Sequence, residues 1–191
     1  MQMQAMARFE FSDTPIAGLK LIRRHTIADA RGYLSRLYCA EEFAAAGVLL
    51  PLVQINHTLT RTTGSVRGMH YQMAPHAERK IVNCLRGQVF DVAVDLRRNS
   101  PTFLKWHGAV LTGSNLCSHF IPEGFAHGFQ CLSEDCELLY FHTAAYRPEA
   151  ERALNAADPR LAVAWPLTIT EMSERDRAHP MLTPEFAGLE F

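Results

Sequence analysis

The 191-residue chain has no apolar run near the roughly 18 residues needed to cross a bilayer as a helix. It also lacks a charge excess of either sign: the formal net charge is -1, so no overall field draws it to nucleic acid or an acidic membrane. An anionic ligand must be held by particular arginines. The five cysteines (Cys39, Cys84, Cys117, Cys131, Cys136) contain no Cys-x-x-Cys pair, and their odd number argues against a disulfide framework. The opening MQMQAMARFEF lacks the apolar segment of a secretion signal. Together these point to reduced thiols and the cytoplasm. Internal repeats and low-complexity linkers are missing too, so residues 1–191 are expected to fold as a single domain. That length buries a core without a metal or disulfide staple.

What is present is a series of short segments rich in β-branched and aromatic residues. They are LKLIRRHT, LVQINHTLT, SVRGMHYQ, KIVNCL, QVFDVAVDL, HGAVLT, SHFIPEGFAHGFQCL and ELLYFHTAAY. Turn chemistry separates them, with Gly87 suited to a tight hairpin and RRNSPT closing the strand that ends near Leu96. Only AEEFAAAG at 40–47 and the segment beginning at Ser173 read as helices, both short. Strands do not alternate with long helices, which excludes a doubly wound sheet. The expected fold is all-β, a jelly-roll β-sandwich with a few short helices. The N-terminal strand LKLIRR is expected to offer an exposed edge that a second copy would cover.

Alternate residues of a strand share a face, so polar residues can be sorted by their neighbours. Lys80 falls on the row of Val82 and Cys84, and His127 on that of Phe125 and Phe129. Tyr140 falls with Leu138 and His142, and His70 with Val66, Gly68 and Gln72. A single inward His or Tyr is most often a satisfied core residue. An inward Lys is rarer, because a desolvated charge loses several kcal/mol of hydration unless paired. The set together implies a polar cavity inside the sandwich. Ser173-x-x-Asp176 is also a capping-box pattern, which would leave the Asp176 carboxylate only closing a helix.

Two chemistries suit such a cavity. Gly68-x-His70-x-Gln72-x-x-x-His76 and Pro122-x-Gly124-x-x-His127 loosely follow the two cupin motifs that hold a divalent metal, with His70 and His127 as ligands. Gln72 replaces a usual histidine there, and the Lys80 ammonium would repel the ion. The other chemistry is proton transfer without a metal or other cofactor. A proton beside a ketone is removed by a base near neutral pKa, while a cation or donor holds the enolate oxygen. His70 and Lys80 suit those roles. Tyr140 could return a proton from the opposite face, and a carboxylate such as Asp176 would fix the tautomer of His70.

The segments RGMHYQ, KIVNCLRGQVFDVAVDLRRNSPTF, IPEGFAHGF, the Tyr140 strand, Trp165-Pro166 and SERD resemble the dTDP-4-dehydrorhamnose 3,5-epimerase family in order and spacing, from about Leu19 to Pro180. The resemblance implies a cupin-type jelly roll that works without metal. It implies a homodimer exchanging N-terminal strands, and epimerisation of a nucleotide-linked 4-keto-6-deoxyhexose at carbons 3 and 5. By position, the base falls on His70 with Asp176, the enolate-holding lysine on Lys80 and the acid on Tyr140. Arg67, Gln54, Asn56, His127, Arg31 and Tyr146 fall on positions that contact sugar, diphosphate or base. Ile27 and Ala145 replace aromatic rings usual in the family, and Arg36 a usual Glu, so the nucleotide base is left open.

Overall fold

A computed structural model describes residues 7–190. Thirteen strands and two short helices follow in order: β1 (Phe9–Asp13), β2 (Lys20–Arg24), β3 (Ile27–Asp29), β4 (Gly32–Leu34), α1 (Ala40–Ala45), β5 (Gln54–Thr60), β6 (Val66–Gln72) and β7 (Lys80–Arg86). Then come β8 (Gln88–Asp95), β9 (Trp106–Thr112), β10 (Cys117–Ile121), β11 (Phe125–Cys131), β12 (Cys136–His142), β13 (Glu151–Ala153) and α2 (Glu174–Arg177). The order β1-β2-β10-β7-β12-β5 forms a six-stranded sheet, β13-β6-β11-β8-β9 a five-stranded one, and β3-β4 a separate ribbon. Every ladder is antiparallel, and the two large sheets make the expected jelly-roll sandwich. No helix among the described residues is long and apolar enough to cross a membrane.

Three apolar clusters explain why the central strands β6, β7, β8, β10, β11 and β12 are largely buried. Val82, Cys84, Val89, Ala93, Ile121, Phe125, Phe129 and Leu138 meet between the sheets. On the outer face of the six-stranded sheet, Ile22, Ile81, Phe120 and Phe141 pack with Phe43 of α1, against whose ring Phe9 and Phe11 stand edge-on. On the outer face of the five-stranded sheet, Met69, Val92, Val94 and Ala126 are covered by Leu154, Leu161, Trp165, Leu182 and Phe186 of the C-terminal segment. That segment is pinned by Gln130, which donates to the Leu167 carbonyl (2.8 Å) and accepts from its N–H (2.9 Å). Asn155 holds its far end by donating to the carbonyls of Arg177 and His179.

Two expectations need correcting. LKLIRR is not an edge: β2 is hydrogen-bonded to β1 on one side and β10 on the other, within the same chain. The edges of that sheet are β1 and β5. Nor does His70 share a face with Val66. The β6–β11 ladder runs His127 opposite His70 but Phe129 opposite Arg67, a bulge that sets Gly68 and Met69 against Gly128. Gly68 has φ +128°, and a Cβ there would lie 2.5 Å from Gly128 Cα. One at Gly128 would lie 2.5 Å from Met69 Sδ. Only glycine permits this approach. Beyond the bulge the alternation is reset, so Val66 and Met69 join the outer cluster while Arg67 and His70 line the interior.

Candidate active site

A cavity of about 420 Å³ opens between the sheets. The five-stranded sheet supplies Arg67, His70 and Gln72 from β6 and His127 from β11; the six-stranded sheet supplies Lys80 from β7, Tyr140 and His142 from β12, and Gln54 and Asn56 from β5. His70 and the Lys80–Tyr140 pair therefore stand on opposite walls. A second groove of about 700 Å³ adjoins it, sharing His70, Arg67 and Arg175 and including Asp176.

His70 Nε2 lies 2.7 Å from Asp176 Oδ1, with the carboxylate 4% exposed and the imidazole 28%. The Asp176 carboxylate accepts Nε2–H, which leaves Nδ1 to take a proton. Burial pushes the Asp176 carboxyl up, but hydrogen bonding and charge from His70 outweigh it and hold the group below its usual range. Ser173 does cap α2, its Oγ accepting the Asp176 N–H at 3.0 Å. The carboxylate itself turns to His70, so the helix presents Asp176 to β6.

Behind His127 lies a buried array that sequence reasoning missed. Asp91 on β8 is fully enclosed and bonds His127 Nε2 through Oδ2 (2.7 Å) and His119 Nδ1 through Oδ1 (2.8 Å). Burial raises the Asp91 carboxyl, yet the two imidazoles draw it down and keep it ionised. A signal existed: Asp91 shares its row with the core residues Val89 and Ala93. Tyr140 packs edge-on to His127, at 6.2 Å between centroids, and stacks on His142 at 6.0 Å. Burial pushes its phenol well above the usual value, so it keeps its proton at neutral pH.

Glu78, Glu151 and Arg175 also line the cavity and were not singled out from the sequence, although Arg175 lies within the SERD motif. Glu78 forms an ion pair with Lys80 Nζ and hydrogen-bonds His142 Nδ1, each at 2.7 Å. Arg175 pairs with Glu151 (2.8 Å), which accepts from the Tyr146 hydroxyl (2.9 Å), and its Nη2 approaches His70 Nε2 to 3.5 Å. Of the ten residues singled out from sequence, Lys80, Tyr140, His70, Arg67, Gln54, Asn56, His127 and Tyr146 line the cavity, and Asp176 adjoins it through His70. Arg31 does not. It lies on the β3–β4 turn, 90% exposed and paired with Asp29, in a separate shallow depression shared with Ile27.

Of the metal pair His70 and His127, the second has its Nε2 taken by Asp91, which leaves Nδ1 as its remaining ring nitrogen. The group of described residues whose ligand atoms come within 4.8 Å of one another is His70, Asp176 and His179.

The sequence profile of the dTDP-4-dehydrorhamnose 3,5-epimerase family matches residues 13–184. The chain belongs to this family. Among curated members, it is 42% identical to the dTDP-4-dehydrorhamnose 3,5-epimerase of Sinorhizobium fredii over 90% of this chain and 89% of that protein. It is similar to the Legionella pneumophila dTDP-6-deoxy-D-glucose-3,5-epimerase, solved in complex with dTDP-4-keto-L-rhamnose. The TM-score is 0.88 at 36% identity, covering 96% of this chain and 98% of the other. ChmJ of Streptomyces bikiniensis, a 3'-monoepimerase solved with dTDP-quinovose, superimposes with a TM-score of 0.83 at 31% identity, over 88% and 85% of the two chains. The family fold thus serves both double and single epimerisation.

Proposed function

We propose that the protein is a nucleotide-sugar epimerase acting at carbon 3, carbon 5 or both of a nucleotide-linked 4-keto-6-deoxyhexose. The observation that carries this reading is the carboxylate-bound His70 on one sheet facing Lys80 and Tyr140 on the other across one cavity. His70 Nδ1 removes the proton beside the carbonyl, and the C–H electron pair moves toward the carbonyl oxygen. The Lys80 ammonium holds the oxyanion that forms. Asp176 stabilises the imidazolium. Tyr140, kept protonated by burial, delivers a proton from the opposite face, which inverts the carbon.

Arg67 and Arg175 border both the cavity and the adjoining groove, a position suited to a diphosphate. Gln54, Asn56, His127 and Tyr146 supply polar contacts to the sugar and nucleotide. A homodimer is part of the proposal: β5 is an edge whose outward Ile55 and Leu59 are exposed, as is Val53 just before it, and Ile27, Tyr33 and Leu34 of the β3–β4 ribbon are exposed too. In that assembly the ribbon, with Arg31, reaches toward the partner's cavity. The five free thiols suit a reducing cytoplasm.

The test is incubation with the dTDP-, CDP-, GDP- and UDP-linked 4-keto-6-deoxyhexoses in deuterated water, with label followed by mass spectrometry and NMR. Label at carbon 3, carbon 5 or both with at least one of them is expected. Absence of label from all four sinks the reading.

A further inference from the structure

Glu78 lies in the loop before β7 and is not on any strand, yet its carboxylate is only 10% exposed inside the cavity wall. Its two oxygens are shared out: Oε1 to Lys80 Nζ and Oε2 to His142 Nδ1, both at 2.7 Å. Lys80 and His142 are themselves cross-strand partners on β7 and β12, so three side chains from three segments close into one unit. Burial raises the Glu78 carboxyl, but Lys80 and His142 together pull it down to about 2, so it is ionised throughout the working range. An ammonium has three donors, so the ion pair with Glu78 leaves donors for a substrate oxygen.

Resting on the epimerase reading above, we propose that Glu78 is a positioning residue for the reaction. It keeps Lys80 charged and aimed at the developing enolate, with His142 as the second anchor that fixes the carboxylate in place. Lys80 is 8% exposed, and an ammonium so enclosed needs a counter-charge beside it. The other groups facing it do not supply that charge. His142 and Tyr140 come from β12, His127 from β11 with Asp91 committed behind it, and His70 and Arg67 from β6; Glu151 of β13 is committed to Arg175 and Tyr146, and β10 contributes Ile121 opposite in register. Glu78 is thus the one carboxylate bonded to Lys80 among the described residues. Because the carbonyl at carbon 4 flanks carbons 3 and 5 alike, a single oxyanion forms in either abstraction, and one lysine serves both.

The experiment compares kcat against pH for wild type, Glu78→Gln, Glu78→Asp and the double variant Glu78→Gln with Lys80→Arg. In E78Q, kcat falls about tenfold or more, and its alkaline limb moves down by about one pH unit or more. Any label at carbons 3 and 5 falls by the same factor. A guanidinium keeps its proton, so the double variant returns the limb to wild-type pH or above. E78D keeps the charge but withdraws it by one methylene: kcat falls while the limb stays. Should E78Q not fold, E78D carries the test, and an unchanged kcat or a downward limb overturns the proposal. An unshifted limb in E78Q overturns it also, as does a limb still displaced in the double variant, which assigns the titration to Tyr140. Wild-type protein that labels none of the four substrates overturns the epimerase reading and this inference with it; an active wild type beside an unshifted E78Q overturns this inference alone.

Discussion

Asp176 shows how one side chain settles between two partners. In the first turn of α2 a carboxylate gains only a few tenths of a kcal/mol to about 1 from the free backbone N–H groups, whereas a charge-assisted bond to the half-buried imidazole contributes about 1.5–3 kcal/mol. The latter wins, and the residue is committed to His70. Asp176→Asn is therefore expected to lower kcat by about a hundredfold or more with little change in KM, since it loses the charge that favours imidazolium; steady-state kinetics with the active substrate checks this. Glu78 makes a stability prediction. Its folded value is about 2 against about 4.3 for a free Glu, so its contribution is full above about 4.3 and lost as pH falls through about 2. Urea midpoints between those limits should fall with acid in wild type and fall less in E78Q, a difference of up to about 3 kcal/mol. Most of the chemistry was legible because inward His, Lys and Tyr stand out on apolar rows. Glu78 was not, because a loop residue has no periodicity to violate.

Among the elements, the bulge joining β6 to β11 decides which way the base points. Strict alternation put His70 with Val66; the extra residue at Gly68 and Met69 reverses that and brings Arg67 and His70 to the same side. A histidine in SVRGMHYQ could be recognised from sequence, but its direction could not, since a bulge is set by a partner strand 60 residues away. Gly128→Ala is expected to cost about 1–3 kcal/mol or more, because its methyl meets Met69 Sδ and backbone atoms of Arg67 and Gly68. Turnover should fall further than stability implies, as His70 is displaced; chemical denaturation and kcat measured on the same preparation separate the two. The misread edge at LKLIRR has a related cause. FEFSD pairs with it as β1, and five residues with only Phe9 and Phe11 on the apolar row gave too short a pattern to be counted.

At the scale of the whole molecule, the sandwich and its polar interior followed from strand spacing, whereas the C-terminal cover did not. Residues 154–190 run mostly without regular structure and are held by Gln130 and Asn155, contacts that composition does not reveal. Light scattering is expected to give twice the 21.5 kDa chain mass, and Ile55→Lys, which charges the exposed face of β5, should return the monomer. A monomeric wild type at micromolar concentration would remove the dimer. β5 has two duties: Gln54 and Asn56 form part of the chamber wall while Ile55 and Leu59 face outward from the unpaired edge. A subunit left alone by dilution would leave that wall unbraced, so turnover per milligram should decline in very dilute assays and recover when inert carrier is replaced by more of the same protein.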